Sequence, residues 1–140
     1  MDDYEKEVEE IRAVNQPILE AFQAWLEKGR LSEKTVKSHC QNMEFFAEYL
    51  LYYEPLYSLD EADSGDVHGF LSEWFPRKAL WASPTSTRSH MASFRKFFRF
   101  MTESGRIEQT VEDEVRETLK ENKEAFLDAV GFDDTDDDWW

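Results

Sequence analysis

The chain has 140 residues, 31 acidic and 16 basic side chains, a formal net charge of −15 and one cysteine, Cys40. That length buries one core without staples, a lone cysteine excludes an internal disulfide, and MDDYEKEVEE has neither the basic region nor the apolar run of a secretory leader. No window approaches the eighteen or so apolar residues of a membrane span, so a soluble, cytoplasmic protein without metal or cofactor is expected.

No strand pattern competes with the helical periodicity, and an all-α chain of five or six helices is predicted. Residues 3–13, with Tyr4, Val8 and Ile11 at helical spacing, form a short acidic arm, loosely docked. Asn15 is placed as the N-cap of a second helix with Pro17 in its first turn; its stripe Ile18, Leu19, Phe22, Trp25 and Leu26 stops at Gly29, read as a left-handed residue. Ser32 opens a helix to about Tyr52, with Val36, Cys40, Met43, Ala47 and Leu50 on its apolar face. A turn-rich loop, 53–65, leads to a short helix from Ser64 to Trp74, and 76–84 forms a second loop carrying Arg77 and Lys78. A long helix follows from Thr85 to Gly105. Thr110 then caps an acidic helix that closes at Gly131, before the tail FDDTDDDWW. The expected divisions are an arm (1–14), a helical domain (15–107), an acidic helix (108–131) and an acidic tail (132–140).

Charge is segregated along this chain. Residues 28–42 hold 4 basic side chains against 1 acidic, and 77–106 hold 7 against 1, whereas 1–27, 43–76 and 107–140 together hold 29 acids. Basic islands act locally, because the potential decays over about 8 Å at physiological salt. On the helix from Thr85, Arg88, Ala92, Arg95 and Arg99 share one face, flanked by Thr85, Ser89 and Lys96, while Met91, Phe94, Phe97, Phe98 and Met101 fill the other. A face that only solubilises mixes its signs, as 111–124 does. Cations beside small hydroxyl residues let a backbone approach phosphates and base edges. Lys34, Thr35, Lys37, Ser38 and Asn42 repeat that composition on the preceding long helix.

The order and spacing of these pieces resemble a known family. Trp25–Leu26, then Leu31, Ser32 and Thr35, then Phe46, Tyr49 and Leu50, then Met91, Phe94, Arg95, Phe97, Phe98, Phe100 and Met101, resemble the SAM-like core-binding domain of the tyrosine recombinases, the phage integrase and Xer family, over about residues 16–107. The resemblance implies a SAM-like four- to five-helix bundle, here with an added acidic C-terminal helix, in a DNA integration or recombination setting. It implies a clamp half that grips duplex DNA with its second and fourth helices. Carried over, those are the helices of Lys34, Lys37 and Ser38 and of Thr87, Arg88 and Arg95; the composition of the same two helices adds Thr35, Lys96 and Arg99 to the expected DNA-binding residues, and the basic loop adds Arg77 and Lys78. The family's catalytic residues belong to a separate domain; none of His39, His68 or His90 is followed by Arg three positions on, and 33 residues follow Ile107. The expectation is a non-catalytic relative, either a fragment or a stand-alone chain, with the acidic end favouring the second.

Other chemistry finds little support. His39 and Cys40 are adjacent, and no metal-binding spacing is present. Cys40 lies on an apolar face. A rival reading keeps the fold but uses the acidic C-terminal region and the Trp tail to recruit a basic protein partner. The tail itself has two readings: solubility, or a DNA mimic that lays Asp133, Asp134 and Asp136–Asp138 over Arg88, Arg95 and Lys37. Trp139 and Trp140 either anchor on a partner or fold back onto the core.

Overall fold

The computed structural model describes residues 2–131, and no strand occurs among them. The elements are α1 (Asp3–Lys28), α2 (Glu33–Tyr49), a 3₁₀ turn (Leu59–Glu61), α3 (Ser64–Gly69), a π-helical stretch (Phe70–Trp74), α4 (Phe75–Lys78), α5 (Pro84–Glu103), α6 (Gln109–Glu121) and α7 (Lys123–Ala129).

No break occurs at Asn15: one 26-residue helix runs through Pro17, started by Asp2, whose side chain accepts from the Glu5 amide. Asn15 is buried, and its Oδ1 accepts from Leu59 N at 2.9 Å, so the acceptor assigned to its own helix start serves a distant turn. The segment before it is docked. Tyr4 Oη donates to Leu51 O at 2.7 Å, Arg12 grips Glu48 with Nη2–Oε1 at 2.6 Å, and Val8 packs with Leu51 and Leu56 in a satellite cluster. Apolar contact on both sides of the proline holds the helix together where sequence punctuation suggested a stop. At its C-terminus Gly29 is not left-handed (φ −78°); Arg30 takes that conformation at φ 66°.

Ser32 caps α2 as expected, accepting from Thr35 N. The third helical region overruns its predicted end: the π stretch is closed by Phe75 N–H to Phe70 O, and Pro76 sits in the first turn of α4 instead of opening a loop. Phe70, Leu71, Trp74 and Phe75, two adjacent pairs four residues apart, all face the core through this stretch. Ser83 caps α5 in a capping box with Ser86, and Gly105 (φ 76°) ends it, with Arg106 N–H on Met101 O and Gly105 N–H on Thr102 O. The last helix is two: Glu108, not Thr110, precedes α6, and at Asn122, whose Nδ2 donates to Thr118 O, the chain turns into α7. That break brings Phe126 into the core against His68, ring centroids 5.5 Å apart.

α5 is the centre of the bundle, packed on α1, α2, α6 and α7. The core is aromatic: Phe22, Phe46, Phe70, Phe75, Phe94, Phe97, Phe98 and Phe126 are fully buried. One close approach depends on glycine. A Cβ on Gly69 would lie 2.7 Å from Tyr49 Oη, and Tyr49 is held among Phe46, Phe70 and Trp74. Gly69→Ala is therefore expected to cost roughly 1–3 kcal/mol by overpacking. Adding Tyr49→Phe should return most of it, as read by chemical denaturation of the two single variants and the double.

Candidate nucleic-acid interface

α5 carries the two faces that its spacing requires. Met91, Phe94, Phe97, Phe98 and Met101 are buried, and Arg88, Arg95 and Arg99 are exposed. Thr87 is a correction: its relative exposure is 0%, so it cannot touch a nucleic acid. The residue stands four before Met91 and seven before Phe94, inside the apolar stripe.

The small hydroxyl residues mainly serve the α2–α5 contact. Asn42 Nδ2 donates to Ser89 Oγ at 3.0 Å and to Ser93 Oγ at 2.9 Å. Ser93 Oγ donates to the Ser89 carbonyl at 3.1 Å, which leaves it to accept from His39 Nδ1 at 2.7 Å. Small residues there let the two helices come close. Burial first, and the nearby Lys96 charge second, hold the His39 imidazole below its ordinary range. Thr35 is half-buried and its Oγ1 accepts from the capping Ser32 Oγ. Cys40 is likewise half-buried, and burial pushes its thiol up, the reverse of an activated nucleophile.

The predicted cations do not all converge. Lys34 is exposed on α2, and Ser38 lies one turn further along the same helix. Lys37 turns toward α1 and lines a concavity with Glu27, Glu33 and Glu44. Arg77 and Lys78 line another with Tyr53 and Glu73, Lys78 Nζ standing 5.4 Å from the Tyr52 ring centre. Arg99 is tied to Glu103 at 2.9 Å, and the other oxygen of that carboxylate accepts from Trp25 Nε1 at 3.0 Å. The Arg99 and Trp25 hydrogen bonds lower the Glu103 pKa. Solvent screens such an exposed pair, and it adds little to stability.

What the structure adds is a groove of about 450 Å³ between α5 and α6, with Arg88 and Arg95 on one wall and Arg116, Lys120 and Lys123 on the other. Its floor is Met91 and Leu119, both buried. The last three cations went unread in the sequence because 107–140 sums to 13 acids against 3 bases. The spacing of four between Arg116 and Lys120 was the available signal, since it places both on one face of α6, whereas Lys123 joins them only through the turn at Asn122. Among the described residues the ion pairs are Arg12–Glu48, Arg99–Glu103 and Arg116–Glu112, the last at 3.5 Å, so Arg88, Arg95, Lys120 and Lys123 stand in none. Asp133, Asp134, Asp136–Asp138, Trp139 and Trp140 lie outside the described residues.

A family model described as "Phage integrase, N-terminal SAM-like domain" matches residues 19–105, more than half of the chain, and the chain belongs to that family. Among curated proteins, a tyrosine recombinase XerD of Listeria innocua serovar 6a is 32% identical over 82 residues, covering 59% of this chain and 26% of that relative. The aligned part thus spans about a quarter of the relative's length. No solved structure gave a significant match. The matched region is the N-terminal SAM-like domain, without the family's catalytic part, and no described helix is long and apolar enough to cross a membrane.

Proposed function

We propose that the chain is a non-catalytic DNA-binding module that contacts duplex DNA with the outward faces of α2 and α5, in an integration or recombination setting. One observation carries the reading. α2 and α5 are locked together through His39, Asn42, Ser89 and Ser93, and on these two helices Lys34, Arg88 and Arg95 are cations in no ion pair among the described residues. The family match supports the assignment. Thr87 is withdrawn from the contact set; Lys34, Thr35, Ser38, Arg88, Arg95, Lys96 and Arg99 remain in it, with Lys37, Arg77 and Lys78 at its margins.

The expected result is weak binding with little sequence preference. If about four phosphates are neutralised, log K falls with log salt at a slope near −3.6, about −0.9 per contact. Fluorescence anisotropy with two unrelated duplexes across a salt series measures it, and Lys34→Ala or Lys96→Ala should weaken both duplexes alike. Absence of binding at low salt overturns the reading.

A second reading, recruitment of a basic protein, is favoured by the outer face of α6. Asp113, Glu114, Glu117 and Glu121 stand there outside the basic groove, and hydrogen bonding to Glu117 raises the Glu121 pKa. A partner bound on that face would be indifferent to Lys34→Ala and Lys96→Ala, which separates the two readings.

A further inference from the structure

α6 and α7 lie beyond the family match at 19–105, yet they build half of a strongly basic concavity. Of its seven lining residues five are cationic, two are apolar and none is acidic. The acids of α6 are disposed elsewhere: Asp113, Glu114, Glu117 and Glu121 lie outside this lining, and Glu112, which pairs with Arg116, is itself buried. A −15 chain that gathers five cations around one groove has sorted its charge against its average. Like charges brought together over an apolar floor repel one another, and an anion bound between them relieves that repulsion.

The dimensions indicate which anion. Arg88 and Arg95 are seven residues apart on α5, and seven residues of helix rise about 10 Å; on the opposite wall Arg116 and Lys120 stand on α6, and Lys123 follows the turn at Asn122 as the first residue of α7. An α5 wall of that length, faced by three further cations, exceeds a single phosphate and suits successive phosphates of a strand, with the arginines supplying planar forks and the lysines point charges. We propose that this groove takes the phosphate backbone of duplex DNA, so that α6 and the start of α7 add a third contact element to the α2–α5 surface. The proposal rests on the DNA-binding reading above and extends it to residues outside the family match.

The test uses the full chain, a fluorescein-labelled 20-bp duplex and a salt series, with circular dichroism to confirm folding. Lys120→Ala and Lys123→Ala should each reduce the magnitude of the salt slope by about 0.9, and together by about 1.8. Lys6→Ala, an exposed cation on α1 with the same charge change, should leave the slope unaltered. If Lys34→Ala and Lys96→Ala weaken binding while the Lys120/Lys123 double variant keeps the wild-type slope, the groove inference is overturned and the α2–α5 reading stands. If the wild-type chain binds no duplex at low salt, both fall. If the double variant loses pyrophosphate or an acidic peptide but binds DNA as wild type does, the groove serves another anion and the proposal is overturned.

Discussion

Phe94→Ala is expected to destabilise the protein by roughly 3–5 kcal/mol, while Arg88→Ala and Arg95→Ala, on the same helix, leave the melting temperature nearly unchanged and weaken DNA binding. Phe94 has no exposed surface and meets Phe46 edge-on at a centroid distance of 4.8 Å and Phe70 at 5.7 Å. Truncation leaves a void between α2, the π stretch and α5 that flanking rings, each already packed against others, are poorly placed to fill. The two arginines lie outside the core and outside every ion pair of the described residues, so their removal breaks no buried contact. Thermal denaturation followed by circular dichroism, beside the DNA titration, reads both halves. Unfolding by the arginine variants with a stable Phe94→Ala would invert the assignment of faces.

The second large effect is a loss of stability on acidification through His90. Its ring is buried among Phe75 at 4.6 Å, Phe70 at 5.1 Å and Phe45 at 6.3 Å, and Nδ1–H donates to the Ser86 carbonyl at 3.3 Å. Nε2 is buried with no hydrogen-bond partner, so protonation there would place a charge without water or counter-ion. Burial lowers the pKa from 6.5 to about 4. A folded-state pKa below the unfolded one gives stability that is full above pH 6.5 and lost as the pH falls toward 4, here about 3 kcal/mol in all. Asp66 works the other way. Desolvation raises its pKa to about 6, so its contribution is present below its unfolded value near 3.8 and is lost as the pH rises through 6. Comparing wild type with His90→Phe isolates the histidine: the variant should lack the loss between pH 6.5 and 4, as measured by urea midpoints at several pH values. Parallel midpoint curves for the two proteins would remove His90 from the account.

The helical class, the cap at Ser32 and the stop at Gly105 were legible because each is a local event, a hydroxyl meeting an amide of its own first turn or a glycine accepting a positive φ. The two-faced character of α5 was legible for the same reason, since spacing along one helix decides what shares a side. Sequence and structure part where a residue's partner lies far along the chain. Asn15 has the chemistry of a cap for the helical turn after it, and it caps Leu59 instead, 44 residues away. Ser89 and Asn42 have the chemistry of groups free to meet DNA, and they bond each other across α2 and α5. Thr87 carries a hydroxyl beside Arg88 and is nonetheless carried into the core by the turn it occupies.

The sequence by itself determined which helices bear cations, which face of α5 is apolar and that the chain carries no recombinase signature around its histidines. Only the tertiary structure decided which cations meet. Composition groups Lys37 with Arg95, but α2 turns it toward Glu27, Glu33 and Glu44. Arg116, Lys120 and Lys123 are submerged in an acidic segment, and the packing of α6 on α5 sets them opposite Arg88 and Arg95. The physical reason is range. Periodicity and capping act within a few residues, whereas the electrostatic potential at a surface sums charges over about 8 Å of space at physiological salt, whatever their separation along the chain.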